Sequence, residues 1–185
     1  MEDRKRIIVV TGPECTDKSE LVVALAKRHE PELTIIRAVT SRGRREGDPH
    51  ETVLYSFVPR GGLITLRDQD YLLIAGPGTP LVAVAGEPYD FLVEDIDRLP
   101  SGRHGILLCE MAGLRRLRQD ARFRVDAYCV FPERLDVPRL VRPEDMTNPG
   151  GMVPIHTHPT AGGIDQAIDS ASWYVTMGLS PDTVQ

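Results

Sequence analysis

The chain has 185 residues, is 41% hydrophobic and 26% charged, and carries a formal net charge of −5. These values suit one globular domain with a real core and argue against nucleic acid as the main partner. No apolar run reaches membrane-spanning length. Cys15, Cys109 and Cys129 are odd in number and form no Cys-x-x-Cys. No signal-like apolar stretch follows the charged start at Met1–Arg6, so a reduced, cytoplasmic setting is expected.

In chain order, Arg6–Thr11 is a near-continuous apolar run, the kind buried in a parallel sheet. It leads into Gly12-Pro13-Glu14-Cys15-Thr16-Asp17-Lys18-Ser19. Lys18–His29 predicts a helix with Leu21 and Leu25 on one stripe. Leu33–Ala38 predicts a strand, followed by the basic stretch 37–45. Val53–Val58 and Leu63–Leu66 read as short strands. Tyr71–Ala75 and Leu81–Ala85 read as a hairpin around Gly76-Pro77-Gly78-Thr79-Pro80, and Tyr89–Arg98 as a helix. Gly105–Cys109 is a buried strand, Leu114–Ala121 a helix and Val125–Phe131 another strand. Pro132–Gly151, rich in Pro, Gly and charge, reads as a loop. Val153–Thr157 and Ile164–Met177 read as a last strand and helix. The alternation predicts an α/β fold with a parallel sheet core, and the strand-rich middle an insertion with its own small sheet.

The segment after the first strand fits G-x-x-x-x-G-K-[ST] except that Asp17 stands in place of the second Gly. Such a loop turns backbone N–H groups and a helix N-terminus toward phosphate. Gly12, Thr16, Asp17, Lys18 and Ser19 are the candidate nucleotide-binding residues. Lys18 supplies a point charge and the Ser19 hydroxyl a ligand for Mg²⁺. A left-handed turn at Asp17 would cost roughly 1–2 kcal/mol. A carboxylate ~5 Å from a phosphate charge would be repelled by ~3 kcal/mol at an effective dielectric near 20. Charge is therefore the larger of the two costs. Cys15 reads as a small loop residue or as a reactive thiol at a helix N-terminus.

From Arg6 to about Val175 the order of motifs resembles guanylate kinases. Thr40-Ser41-Arg42-Gly43-Arg44-Arg45 is similar to that family's T-[ST]-R-x-x-R stretch. Tyr55-Ser56-Phe57-Val58 is similar to its Tyr-x-Phe-Val strand. Gly86-Glu87-Pro88-Tyr89 matches its Gly-x-x-Tyr, with Asp90 and Phe91 where it has Gly and a hydroxyl residue. Leu108-Cys109-Glu110 resembles its Asp-x-Asp. The resemblance implies a P-loop three-layer fold in a single domain over 1–185. Its core would be 1–38, 100–131 and 152–185, with a monophosphate-binding insertion at about 39–99. A short lid would lie at about 132–151, with Arg134, Arg139 and Arg142 as lid candidates.

The resemblance also implies ATP and Mg²⁺ as cofactors, with Lys18, Arg42 and Arg45 as catalytic residues. Arg42, Arg45, Tyr55, Tyr89 and Glu110 would bind the substrate, and Arg forks suit phosphate. The residues that read guanine in the family have no counterparts, because Tyr71–Ala85 holds no Glu and Phe91 brings no hydroxyl. The acceptor is then a nucleotide or a sugar phosphate, as in ribose bisphosphate kinases of similar fold. Two readings stand: an ATP-dependent phosphotransferase, or a catalytically impaired kinase-like module that binds a protein partner or a phosphorylated ligand. Other roles stay open for several of these residues. Arg42, Arg44 and Arg45 also suit a solvated basic loop, and Glu110 a helix cap. His156 and His158, with no third ligand well spaced, read as surface histidines. Trp173 and Tyr174 read as packing.

Overall fold

A computed structural model of the chain describes residues 5–12, 17–84, 86–132, 152–157 and 163–177. Strand β1 (Lys5–Thr11) is followed by helix α1 (Lys18–Arg28) and strand β2 (Leu33–Ile35). Further along come β7 (His104–Leu108), α5 (Met111–Leu117), β8 (Phe123–Pro132), β9 (Met152–Thr157) and α6 (Gly163–Met177). The five strands form one parallel sheet in the order β2–β7–β1–β8–β9. β1 lies in the middle, with Val10 opposite Leu108 on one side and Tyr128 on the other.

Ile7, Ile8, Val9 and Val10 are all fully buried, as a strand covered on both faces requires. Alternation sends Ile8 and Val10 toward Leu21, Val22 and Leu25 of α1 and Ala167, Ile168 and Ala171 of α6. Ile7 and Val9 face Leu114 and Leu117 of α5, together with Phe91 and Ile96. Helices thus cover both faces of the sheet, a three-layer α/β arrangement.

The middle of the chain builds a second sheet from β3 (Ala38–Thr40), β4 (Tyr55–Phe57), β5 (Val82–Val84) and β6 (Glu87–Phe91). Its order is β4–β3–β6–β5, with β6 antiparallel to both neighbours. Short helices α2 (Glu51–Leu54), α3 (Arg60–Asp68) and α4 (Val93–Asp97) complete this part.

Five expected elements differ here. Leu33–Ala38 is two strands, because Ile36 N–H donates to Ile106 O at 2.9 Å and the chain then leaves the large sheet for the small one. Leu63–Leu66 lies in helix α3. Two apolar residues three apart share a helix face, and here Leu63 packs beside Val39 and Leu72 with Leu66 against the same cluster. Tyr89–Arg98 begins as β6, whose Tyr89, Asp90 and Phe91 are all buried, and turns helical only at Val93. The hairpin partner of β5 is β6 across Gly86 (φ 83°), and Leu72 instead bridges Leu92. Val53–Val58 is likewise one turn of α2 before β4.

A buried ion pair joins two central strands. Arg6 Nε donates to Asp126 Oδ2, and Arg6 Nη1 donates to Val175 O at 3.2 Å. Arg6 and Asp126 are 7% and 1% exposed. Removing one partner leaves an uncompensated buried charge. Asp126→Ala is expected to lower the unfolding free energy by about 3–5 kcal/mol in urea titration, and Arg6→Met with Asp126→Leu to recover most of that. A loss below about 1 kcal/mol in the single variant would refute a structural role for the pair.

Candidate functional site

The carboxyl ends of β1, β7 and β8 lie side by side, where open α/β sheets place their ligands. Gly12 follows β1 with φ 142°, and a Cβ there would lie 2.3 Å from Val130 O. Only glycine lets the chain pass this close to β8. Asp17 is the N-cap of α1, exposed and making no side-chain cap hydrogen bond. Its φ is −75°, so no left-handed turn is needed at the non-glycine residue. Of the two costs considered for Asp17, charge is the one that applies. Lys18 opens α1 and is 8% exposed, and Ser19 is half-buried in the first turn. Thr16 and Cys15 lie outside the described residues, as do Arg134, Arg139, Arg142 and His158.

The basic stretch leaves β3 and folds back over β4. Thr40 Oγ1 donates to Pro88 O at 2.7 Å and anchors the strand end to β6. Arg42 then meets the Glu51 carboxylate with both arms of its fork: Nη1 donates to Oε2 at 3.0 Å and Nη2 to Oε1. The guanidinium also covers the rings of Tyr55 and Phe57, 4.4 and 5.4 Å from their centroids. Arg45 sends its backbone N–H to Glu51 Oε2 at 3.0 Å, while its side chain is exposed. Arg44 sits over the Phe57 ring at 5.1 Å. Burial works to raise the Glu51 pKa, but the Arg42 fork and the Arg45 N–H outweigh it and hold the carboxyl below its usual range. Burial likewise raises the Tyr55 phenol. Arg42, Arg45 and Tyr55 are therefore brought together, with Glu51 at their centre. Glu51 was not a candidate in the sequence. An acid six residues beyond Arg45, before an aromatic strand, was the available signal.

Tyr89 and Glu110 meet at the other wall. Cys109 N–H donates to Val10 O at 3.0 Å, which sets Glu110 beside the end of β1. Glu110 N–H donates to the Tyr89 hydroxyl at 2.9 Å, and Cys109 Sγ lies 3.5 Å from that oxygen. Tyr89 is buried, and burial pushes its phenol well up; the same cause raises the Cys109 thiol to about 12. Glu110 is half-buried at the N-cap of α5.

Asp90 and Phe91, adjoining Tyr89, are fully buried. The Asp90 carboxylate accepts the N–H groups of Ile74 (2.9 Å), Ala75 (2.8 Å) and Phe91 (2.7 Å). It staples the 72–75 segment to β6.

A first parallel strand ending at a close-packed glycine, followed by a Lys-Ser helix start, defines a P-loop α/β protein. No family model matches the chain. It is 32% identical over 140 residues to a guanylate kinase of Synechococcus sp. (strain JA-3-3Ab), covering 75% of this chain and 61% of that protein. It is 30% identical over 138 residues to a guanylate kinase of Trichormus variabilis, covering 71% and 58%. The chain thus spans about three-fifths of the length of the curated relatives it matches. The crystal structure of guanylate kinase from Anaplasma phagocytophilum has the same fold. Its TM-score is 0.70 over 95% of this chain and 86% of that one, at 17% identity. The chain belongs to a guanylate kinase-like family. Among the described residues, no helix is long and apolar enough to cross a membrane.

Burial outweighs three N–H bonds and the charge of Arg116 and lifts the Asp90 pKa to about 6. A carboxyl raised above its unfolded value near 4 binds more protons in the folded state between those two pKa values. Its contribution to stability is therefore present below pH ~4 and lost as pH rises through ~6. Urea unfolding of the wild type is expected to lose stability relative to Asp90→Asn across pH 4–7, by about 2–3 kcal/mol. The opposite slope would show that the N–H bonds dominate.

Proposed function

We infer that the chain is an ATP-dependent phosphotransferase that transfers a phosphoryl group to a small phosphate-bearing acceptor. The observation that carries this reading is the start of α1. Lys18 is largely buried, and Asp17, in the place of the second glycine, keeps a negative φ. A helix N-terminus of this kind would serve as an anion site without a left-handed residue at Asp17. Gly12, Thr16, Asp17, Lys18 and Ser19 would hold the ATP phosphates. Ser19, assisted by Glu110, offers hard oxygen donors of the kind Mg²⁺ takes alongside phosphate and water. Bound Mg²⁺ would neutralise charge on the transferring phosphoryl group. Arg42 and Arg45 would grip the acceptor phosphate beside Tyr55, and the phosphoryl group would pass from ATP to an acceptor oxygen with ADP leaving. The work is positioning and charge compensation.

A sugar phosphate or another nucleotide suits this acceptor site as well as guanosine monophosphate does. Phe91, which stands in the place of the family's hydroxyl residue, is buried in the core. The second reading is a catalytically impaired module that binds a protein partner or a phosphorylated ligand. The closed Arg42–Glu51 pair favours it, because a committed arginine does not grip substrate.

ATP–Mg²⁺ is expected to raise the melting temperature and to support turnover with at least one phosphate monoester in a coupled assay. Exposure screens the Asp17 charge, so Asp17→Gly should tighten ATP about tenfold rather than by the two decades an unscreened carboxylate implies. Absence of both shift and turnover, in the wild type and in Asp17→Gly, would end the kinase reading. A shift without turnover would favour the impaired module.

A further inference from the structure

We propose that Glu51 is an internal stand-in for the acceptor phosphate, and that it selects phosphate monoesters by making every acceptor compete with it. This rests on the reading of Arg42 and Arg45 as the acceptor clamp. The Glu51 carboxylate fills the Arg42 fork with both oxygens and takes the Arg45 backbone N–H as well. These are the donors an acceptor phosphate would use. The pair is well shielded: the side chains of Arg42 and Glu51 are 8% and 5% exposed. Tyr55 and Phe57 hold the guanidinium plane in place beneath it.

Glu51 is on α2, a single helical turn of four residues, with its ends at His50 and Tyr55. The carboxylate is thus delivered by a short element, next to the strand that carries Tyr55. A tethered carboxylate acts as a competitor at high effective concentration. A phosphate monoester carries close to two negative charges near neutral pH and offers three oxygens. It can displace a single carboxylate from a site that also has the exposed Arg45 side chain nearby. A phosphodiester or a free carboxylate carries one charge and has no such advantage. Glu51 therefore sets a charge threshold for the acceptor.

The test is binding of methyl phosphate and dimethyl phosphate to the full chain by isothermal titration, in the wild type and in Glu51→Gln. Glutamine keeps the shape and removes the charge. Glu51→Gln is expected to bind methyl phosphate about tenfold tighter, a change of about 1.4 kcal/mol, and to narrow the preference over dimethyl phosphate. Adding Arg42→Gln to that variant should erase the gain. Unchanged or weaker methyl phosphate binding in Glu51→Gln would overturn the proposal and make Glu51 a positioning residue for Arg42. Where Glu51→Gln melts below the assay temperature, Glu51→Asp serves: its shorter reach predicts the same tightening, and weaker binding refutes it. ATP–Mg²⁺ thermal shift is measured in parallel. A retained shift with no Glu51 effect rejects the competitor alone. Loss of both shift and phosphate binding in the wild type rejects the kinase reading and the competitor with it.

Discussion

The placement of β1 between β7 and β8 governs the rest of the molecule. Parallel pairing on both sides holds Thr11 level with Cys129 and Val10 level with Leu108, so three strand ends reach the same edge. The chain must then leave that edge past Val130, which only Gly12 allows. From there it enters α1 at Asp17 and Lys18. The location of the phosphate-binding candidates is thus a consequence of backbone pairing and one close approach. Helix dipole and side-chain charge act on a site already fixed in space.

The small sheet uses a different logic, because its strands are short and its polar groups are buried. Two carboxylates organise it. Asp90 holds the backbone of 74–75 against β6, and Glu51 holds Arg42 and Arg45 N–H against β4. Burial dominates at the first and pushes its pKa up; the Arg42 fork and the Arg45 N–H dominate at the second and hold it down. Both lie in the small sheet on which the proposed acceptor site is built. Under the proposed reading, the site keeps cations for phosphate while Phe91, in the place of the family's hydroxyl residue, is part of the core.

The large sheet was legible in the sequence because its strands are continuous apolar runs and its helices carry long apolar stripes. Ile7–Val10 and Ile164–Val175 are clear on pattern alone. The small sheet was far less legible. Leu63 and Leu66 are too few to separate a period of two from one of 3.6, and Tyr89–Phe91 is buried on both faces, which hides strand alternation. The site divides in the same way. Gly12, Lys18, Ser19, Arg42 and Arg45 stand in recognisable spacing. Glu51 and Asp90 do not, because their importance comes from which N–H groups and guanidinium they meet after folding. Whether Asp17 needed a left-handed turn was also invisible until its φ of −75° was known.

The proposed site is a phosphate grip without a guanine reader. Equilibrium dialysis of guanosine monophosphate, adenosine monophosphate and ribose 5-phosphate against the wild-type chain tests this most directly. The account predicts affinities within about fivefold of one another, since 1 kcal/mol or less would then separate the bases. A preference for guanosine monophosphate of a hundredfold or more would contradict it and restore a guanine-specific pocket.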